Sequence, residues 1–163
     1  YTQSPRKNIA RAIAAVTQAK AALPDLRVLA FGSHPPDPAL PLPDLVEYHV
    51  NPSQAEIAGL YAACDLWLFT SDNEGFGLPL LEAFASRTPV LATRAGASEE
   101  LVDGSNGLLL EHDTNVFAAA IRRFADMDDP TWQEFSEAAY ETACTYTWDD
   151  ATEALLRHLT EAV

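Results

Sequence analysis

Glu74 and Glu82 stand eight positions apart around a turn that carries Gly75, Gly77 and Pro79, within the stretch Ser71-Asp-Asn-Glu-Gly-Phe-Gly-Leu-Pro-Leu-Leu-Glu-Ala83. A plain turn needs one glycine at most. Two glycines let a backbone approach a ligand closely, and a proline fits the first helical turn, where a missing amide hydrogen costs nothing. Such a bend is suited to present amides from about Gly77 through Leu80 to an anion. Carboxylates do not bind phosphate, so Glu74 and Glu82 must serve a neutral part of the same ligand. Vicinal hydroxyls of a sugar or ribose fit, because an ionised carboxylate accepts charge-assisted hydrogen bonds worth roughly 1.5–3 kcal/mol each. The plainer alternative makes Glu74 a solvated loop acid and Glu82 a helix-surface acid.

The turn has to be held between a strand and a helix. Asp65-Leu-Trp-Leu-Phe-Thr70 reads as a buried strand and Leu80-Leu-Glu-Ala-Phe-Ala-Ser86 as a short helix. Upstream, apolar residues at Ile9, Ala12, Ile13, Val16 and Ala19 give a helical spacing over 8–22, ended by Pro24. Strands follow at 27–31 and 46–50, separated by a Pro-rich surface loop at 35–43. Ser53 and Glu56 form a capping box for a helix running to about Cys64. Beyond the turn come a strand at 89–93, a short acidic helix capped by Ser98, a strand at 107–110 and a helix at 114–126. Two more helices follow, at 131–143 and 148–162. Short apolar strands alternating with helices imply a parallel sheet with crossover helices, the doubly wound α/β class. Ligands of such sheets sit beyond the carboxyl ends of the strands, where 71–79 falls.

The 163 residues, 48% of them hydrophobic, suffice for the core of one domain. The net charge of -14 opposes encounter with a nucleic acid or an anionic membrane surface. Cys64 and Cys144 lie in apolar, helix-like segments and read as buried thiols of a reducing compartment, so the cytoplasm is the expected location. No apolar run is long enough for a spanning helix. Asp126-Met-Asp-Asp129 follows a helix and precedes Pro130, which suits a solvated interhelical loop better than a metal site.

Glu74-Gly-Phe-Gly-Leu-Pro-Leu-Leu-Glu82 resembles the E-x7-E signature of family 4, or group 1, retaining glycosyltransferases, which use nucleotide-sugar donors and have two Rossmann-like domains. Pro5-Arg-Lys-Asn8, Leu60-Tyr-Ala-Ala-Cys-Asp65, Thr88-Pro-Val-Leu-Ala92, Gly107-Leu-Leu-Leu110 and Tyr146-Thr-Trp148 resemble further family segments, so the likeness covers nearly the whole chain. The resemblance implies a Rossmann-like three-layer α/β/α domain with a parallel sheet. It implies that Glu74 contacts the donor sugar, Glu82 holds the ribose, and the turn Gly75-Phe76-Gly77-Leu78 meets the diphosphate. Lys7 corresponds to the lysine that stabilises the leaving diphosphate, and Arg6 is a weaker match to the family's phosphate-binding arginine. His49 and Asn51, at a strand end on the ligand edge, are candidates for the nucleobase. His34, His112 and His158 carry no signal.

The chemistry expected is departure of a nucleoside diphosphate, stabilised by aimed donors, with no metal or other cofactor. Ala95-Gly-Ala-Ser-Glu99 departs from the family pattern at Ala95 and Ser98 but keeps Gly96 and Glu99, and this loop is placed at the sugar site. Family members carry the acceptor site on a separate N-terminal domain, so residues 1–163 read as the donor-binding C-terminal half of a hexosyltransferase acting on a glycan or lipid-linked acceptor. In the intact enzyme a place at the membrane periphery stays open, and the last helix is expected to pack back toward the other half. The fragment alone is expected to bind nucleotide without transferring sugar. A nucleotide-sugar epimerase of the same fold and a non-catalytic nucleotide-binding scaffold are the competing readings.

Overall fold

The computed structural model describes residues 1–2 and 4–161. A short 3-10 turn (Pro5–Lys7) leads into α1 (Ile9–Lys20), β1 (Val28–Gly32), β2 (Val46–Val50) and α2 (Gln54–Ala62). After them come β3 (Trp67–Phe69), α3 (Leu78–Ala85), β4 (Val90–Thr93), α4 (Ser98–Leu101) and β5 (Gly107–Leu110). Three helices close the chain: α5 (Thr114–Ala125), α6 (Asp129–Cys144) and α7 (Trp148–Glu161). The alternation expected from the sequence is present throughout, with boundaries shifted by at most two residues. The final residue of the helix expected at 148–162 lies outside the described residues.

Every strand pair is parallel. β1 pairs with β2, and β4 lies between β3 and β5. Where one continuous sheet was expected, the ladder is interrupted between β1 and β3. Aromatic rings fill the junction: Phe31 of β1 stacks on Trp67 of β3 at 6.0 Å between centroids, and Tyr61 of α2 meets Trp67 edge-on at 4.8 Å.

β4 shows why the domain has three layers. All four of its residues are buried, and successive side chains leave opposite faces of the strand. Val90 and Ala92 join a cluster with Tyr61, Leu80, Phe84 and Ala139, contributed by α2, α3 and α6. Leu91 joins the other cluster, with Ala15, Val16 and Ala19 of α1 and Phe117, Ile121 and Phe124 of α5. A strand apolar on both faces is therefore covered by helices on both sides, as a parallel sheet requires.

Helix ends follow local chemistry. The capping box of α2 is complete, with Ser53 N donating to Glu56 Oε2 at 2.7 Å and Glu56 N donating to Ser53 Oγ at 3.3 Å. Asp113 caps α5 and Asp128 caps α6, so one acid of the 126–129 run has a structural use. Ser98 does not cap α4. It is the first helical residue and fully buried, and its hydroxyl donates to Thr93 O at 2.7 Å while accepting from Ala95 N at 2.8 Å. Tertiary bonds to the end of β4 take that hydroxyl away from the helix.

The cysteines also differ from expectation. Cys64 is half-buried, and burial followed by the neighbouring Asp65 charge raises its thiol pKa. Cys144, the last residue of α6, is exposed, because that helix buries Ser136 and Ala139 instead. Among the described residues no helix is long and apolar enough to cross a membrane.

Phe117 is fully buried between α1 and α5. Phe117→Ala is expected to lower unfolding stability by roughly 3–5 kcal/mol, read as the shift of a urea denaturation midpoint.

Candidate functional site

The carboxyl end of β3 is joined to the start of α1 by a seam of short polar contacts. Thr70 Oγ1 donates to the carbonyls of Lys7 (3.1 Å) and Asn8 (3.2 Å), and Arg11 Nη1 donates to Thr70 O at 2.8 Å. Asp72 N donates to Arg6 O at 2.7 Å. The Asp72 carboxylate takes Asn8 Nδ2 at 2.8 Å on one oxygen, and on the other Arg11 Nη2 at 2.8 Å and His112 Nδ1 at 2.9 Å. Partial burial pushes the Asp72 carboxyl up. The hydrogen bonds from Arg11, Asn8 and His112, with the Arg11 charge, outweigh it and hold the group below the ordinary carboxylate value.

This seam delivers Lys7 to Glu74. Lys7 Nζ forms a short ion pair with Glu74 Oε1, the same oxygen that accepts from Ser71 Oγ at 2.6 Å. The Glu74 side chain is 11% exposed and that of Lys7 31%. Two residues 67 positions apart, singled out in the sequence for the same phosphate-and-sugar chemistry, thus meet directly.

The turn that follows ends in a left-handed residue. Gly77 has φ 97° and is the N-cap of α3, with no side chain to bond the first amides, and Pro79 stands in the first turn. A Cβ at Gly77 would come within 3.2 Å of the Phe69 ring. Leu80 N donates to Gly77 O at 2.9 Å and Pro79 has no amide hydrogen. The donor set is therefore narrower than the expected 77–80: the N–H groups of Gly77, which is buried, and Leu78, which is exposed, remain without a partner among the described residues. Leu78 and Phe76 are exposed, and the Phe76 ring lies 6.4 Å from Tyr146. Gly75 opens onto empty space.

The departing loop at 95–98 packs on this turn. Gly96 has φ 59°, and a Cβ there would stand 2.8 Å from Glu74 Cβ, 2.8 Å from Gly75 O and 2.9 Å from Phe76 O. Ala97 N donates to Phe76 O at 3.0 Å. Only glycine permits so close a crossing in that conformation. Gly96 therefore packs directly against Glu74 and the turn.

Glu82 lies on α3, where Tyr61 OH donates to its Oε2 at 3.1 Å. The tyrosine pKa is raised by burial first, then by the Glu82 charge and this bond, so it stays a donor across the working pH range. Glu82 is otherwise exposed. Asn51, at φ 48°, lines an open cleft of about 510 Å³ with Tyr48, His49, Pro52, Glu56 and Leu60. A second concavity of about 330 Å³ lies between α4 and α6. Neither is lined by Lys7, Glu74 or Glu82. The Arg6 side chain is exposed and forms no ion pair among the described residues; its carbonyl, not its guanidinium, is what the seam uses.

Of the residues singled out in the sequence, the structure brings Lys7, Glu74, Gly77 and Gly96 together around one turn and leaves Glu82, Asn51 and the Arg6 side chain outside those contacts; Asp72, Arg11, Ser71 and His112, not singled out, join the corner. The histidine, read as carrying no signal, sits at the end of β5 on the ligand edge. Its one legible hint is that β5 ends just before it.

A family model described as "Glycosyl transferases group 1" matches residues 1–127. The chain belongs to the group 1 glycosyl transferases. Among curated relatives, the D-inositol 3-phosphate glycosyltransferase of Corynebacterium diphtheriae is 43% identical over 102 residues, covering 61% of this chain and 24% of that protein. This group 1 chain spans about a quarter of the length of the first such relatives. Among solved structures, the C-terminal domain of a glycosyl transferase group 1 family protein, LpcC, from Francisella tularensis superposes with a TM-score of 0.73 at 28% identity, over 86% of this chain and 80% of that one. Anabaena HepE, solved in complex with UDP and glucose, shares the fold at a TM-score of 0.78 and 23% identity, over 100% of this chain and 47% of that one. These likenesses agree with the Rossmann-like α/β architecture.

In this group 1 chain the seam titrates. A folded-state carboxyl pKa held below its unfolded value adds stability that is present above the ordinary value of 3.8 and lost as pH falls below it. The stability gap between the native chain and Asp72→Asn is therefore expected to be widest above about pH 5 and to close toward pH 3, measured by urea unfolding across that range.

Proposed function

We propose that this chain is the donor-binding half of a nucleotide-sugar-dependent hexosyltransferase that acts with retention, its glycan or lipid-linked acceptor being held by a second domain. The observation that carries this reading is the meeting of Lys7 with Glu74 beside the unpartnered amides of Gly77 and Leu78. A cation and two free N–H groups at a helix start form a receptor for a diphosphate, and a carboxylate in contact with that cation is within reach of the sugar bonded to it.

The chemistry follows from charge. As the bond from the sugar's anomeric carbon to the diphosphate breaks, negative charge grows on the phosphate oxygens. Lys7 and the Gly77 and Leu78 amides stabilise it, so this assignment invokes no metal. Glu74 is ion-paired with Lys7. A bound diphosphate competes for the lysine and frees a carboxylate oxygen for a sugar hydroxyl. Glu82, with one oxygen anchored by Tyr61, turns the other toward the ribose, and the cleft at Asn51 receives the base. Phe76 and Gly75 form the exposed lip of the turn, and Arg6 is free to approach the outer phosphate. The UDP and glucose bound by HepE, which shares the fold, agree with a donor of this class.

Calorimetric titration of the chain with uridine, guanosine and thymidine diphosphates tests the reading. One of the three is expected to bind selectively, and Lys7→Ala is expected to weaken it about tenfold or more, as loss of a charge-assisted contact does. No binding of any nucleotide would overturn the assignment. In the full-length transferase, Glu82→Ala is expected chiefly to raise donor KM and Glu74→Ala chiefly to lower kcat, measured by steady-state kinetics.

A further inference from the structure

Lysine carries its charge on a flexible stem, so where Nζ points depends on where the backbone is pinned. The backbone of residues 6–8 is pinned almost wholly from one place. Thr70 takes the carbonyls of Lys7 and Asn8, and Asp72 takes Arg6 O with its amide and Asn8 with its carboxylate. Asn8 has the left-handed φ of 43° that lets the 3-10 turn of Lys7 swing into α1, a conformation that needs support. Arg11 braces the same corner by forking to Thr70 O and Asp72 Oδ1. His112 reaches the same oxygen from the end of β5. One carboxylate thus gathers donors from the first helix and from the last strand, directly before the turn that carries Glu74.

We propose that Asp72 is a positioning residue for donor binding: it holds the Arg6–Asn8 corner against the turn through Asn8 and Arg11, with His112 as a third tie, and so aims Lys7 at the diphosphate. The proposal rests on the donor reading above. A surface ion pair of the ordinary kind is the simpler account, since the Asp72 side chain is 43% exposed.

The two accounts differ in sign. Removing a carboxylate beside an anion site strengthens anion binding by charge alone. Removing the clamp that aims Lys7 weakens it. Asparagine at position 72 keeps the backbone bond to Arg6 but cannot accept on both sides of its side chain, so at least one of Asn8, Arg11 and His112 loses its partner.

The experiment is calorimetric titration of the chain with UDP and UMP, or the guanosine or thymidine pair if that base is preferred, for the native chain, Asp72→Asn and Arg11→Lys. Arg11→Lys keeps the charge and removes the fork. Both variants are expected to weaken the diphosphate about tenfold while the monophosphate, which lacks the outer phosphate, changes less than about threefold. If Asp72→Asn does not fold, Arg11→Lys decides alone. Unchanged or tighter diphosphate binding overturns the proposal, as does equal weakening of both nucleotides. A native chain that binds no nucleotide overturns the donor reading itself, a result distinct from either.

Discussion

The contact on which the site depends is the polar seam between residues 6–11 and 70–74. Each segment alone is unremarkable: a 3-10 turn that ends in a left-handed asparagine, and a strand exit of five polar residues. Thr70, Asp72 and Arg11 join them with bonds near 3 Å, and the Lys7–Glu74 pair forms at the end of that seam. The sheet supplies the rigidity beneath. β4 is buried on both faces and fixes β3, and Thr93 at its end donates to Phe69 O at 3.2 Å. Gly96 closes the other side of the turn by a crossing too tight for any side chain.

Much of this was legible because the relevant signals are local. The capping box at Ser53 and Glu56, the helical spacing from Ile9 to Ala19 and the proline at position 79 each act within one or two turns of chain, so sequence order reports them directly. Glu74 and Glu82 stood out by their spacing around two glycines. What stayed hidden depends on distant partners. Ser98 has the local features of a cap, yet the end of β4 takes its hydroxyl. Asp72 and His112 are 40 positions apart and belong together only once β3, β4 and β5 lie side by side. The break in the ladder at β1 and β3 was invisible for a similar reason, since bulky rings at Phe31, Tyr61 and Trp67 meet only in three dimensions.

The net charge of -14 is compatible with the anion-binding corner proposed above because the two act on different scales. Charges on distant faces are screened over about 8 Å at physiological salt, whereas a lysine and a helix start act at contact. α7 is the other feature with a reach beyond the core. Trp148 is 78% exposed, and Leu155, Leu156 and Leu159 are exposed on the same helix, so this element presents apolar surface that the described fold leaves uncovered.

The 67-residue separation of Lys7 and Glu74 also orders events in time. Neither group can meet the other until the segment before α1 lies against the end of β3, so a partly melted chain has the acids and the glycine bend but not their pairing. A nucleotide that binds here as proposed would shift the folding equilibrium by mass action.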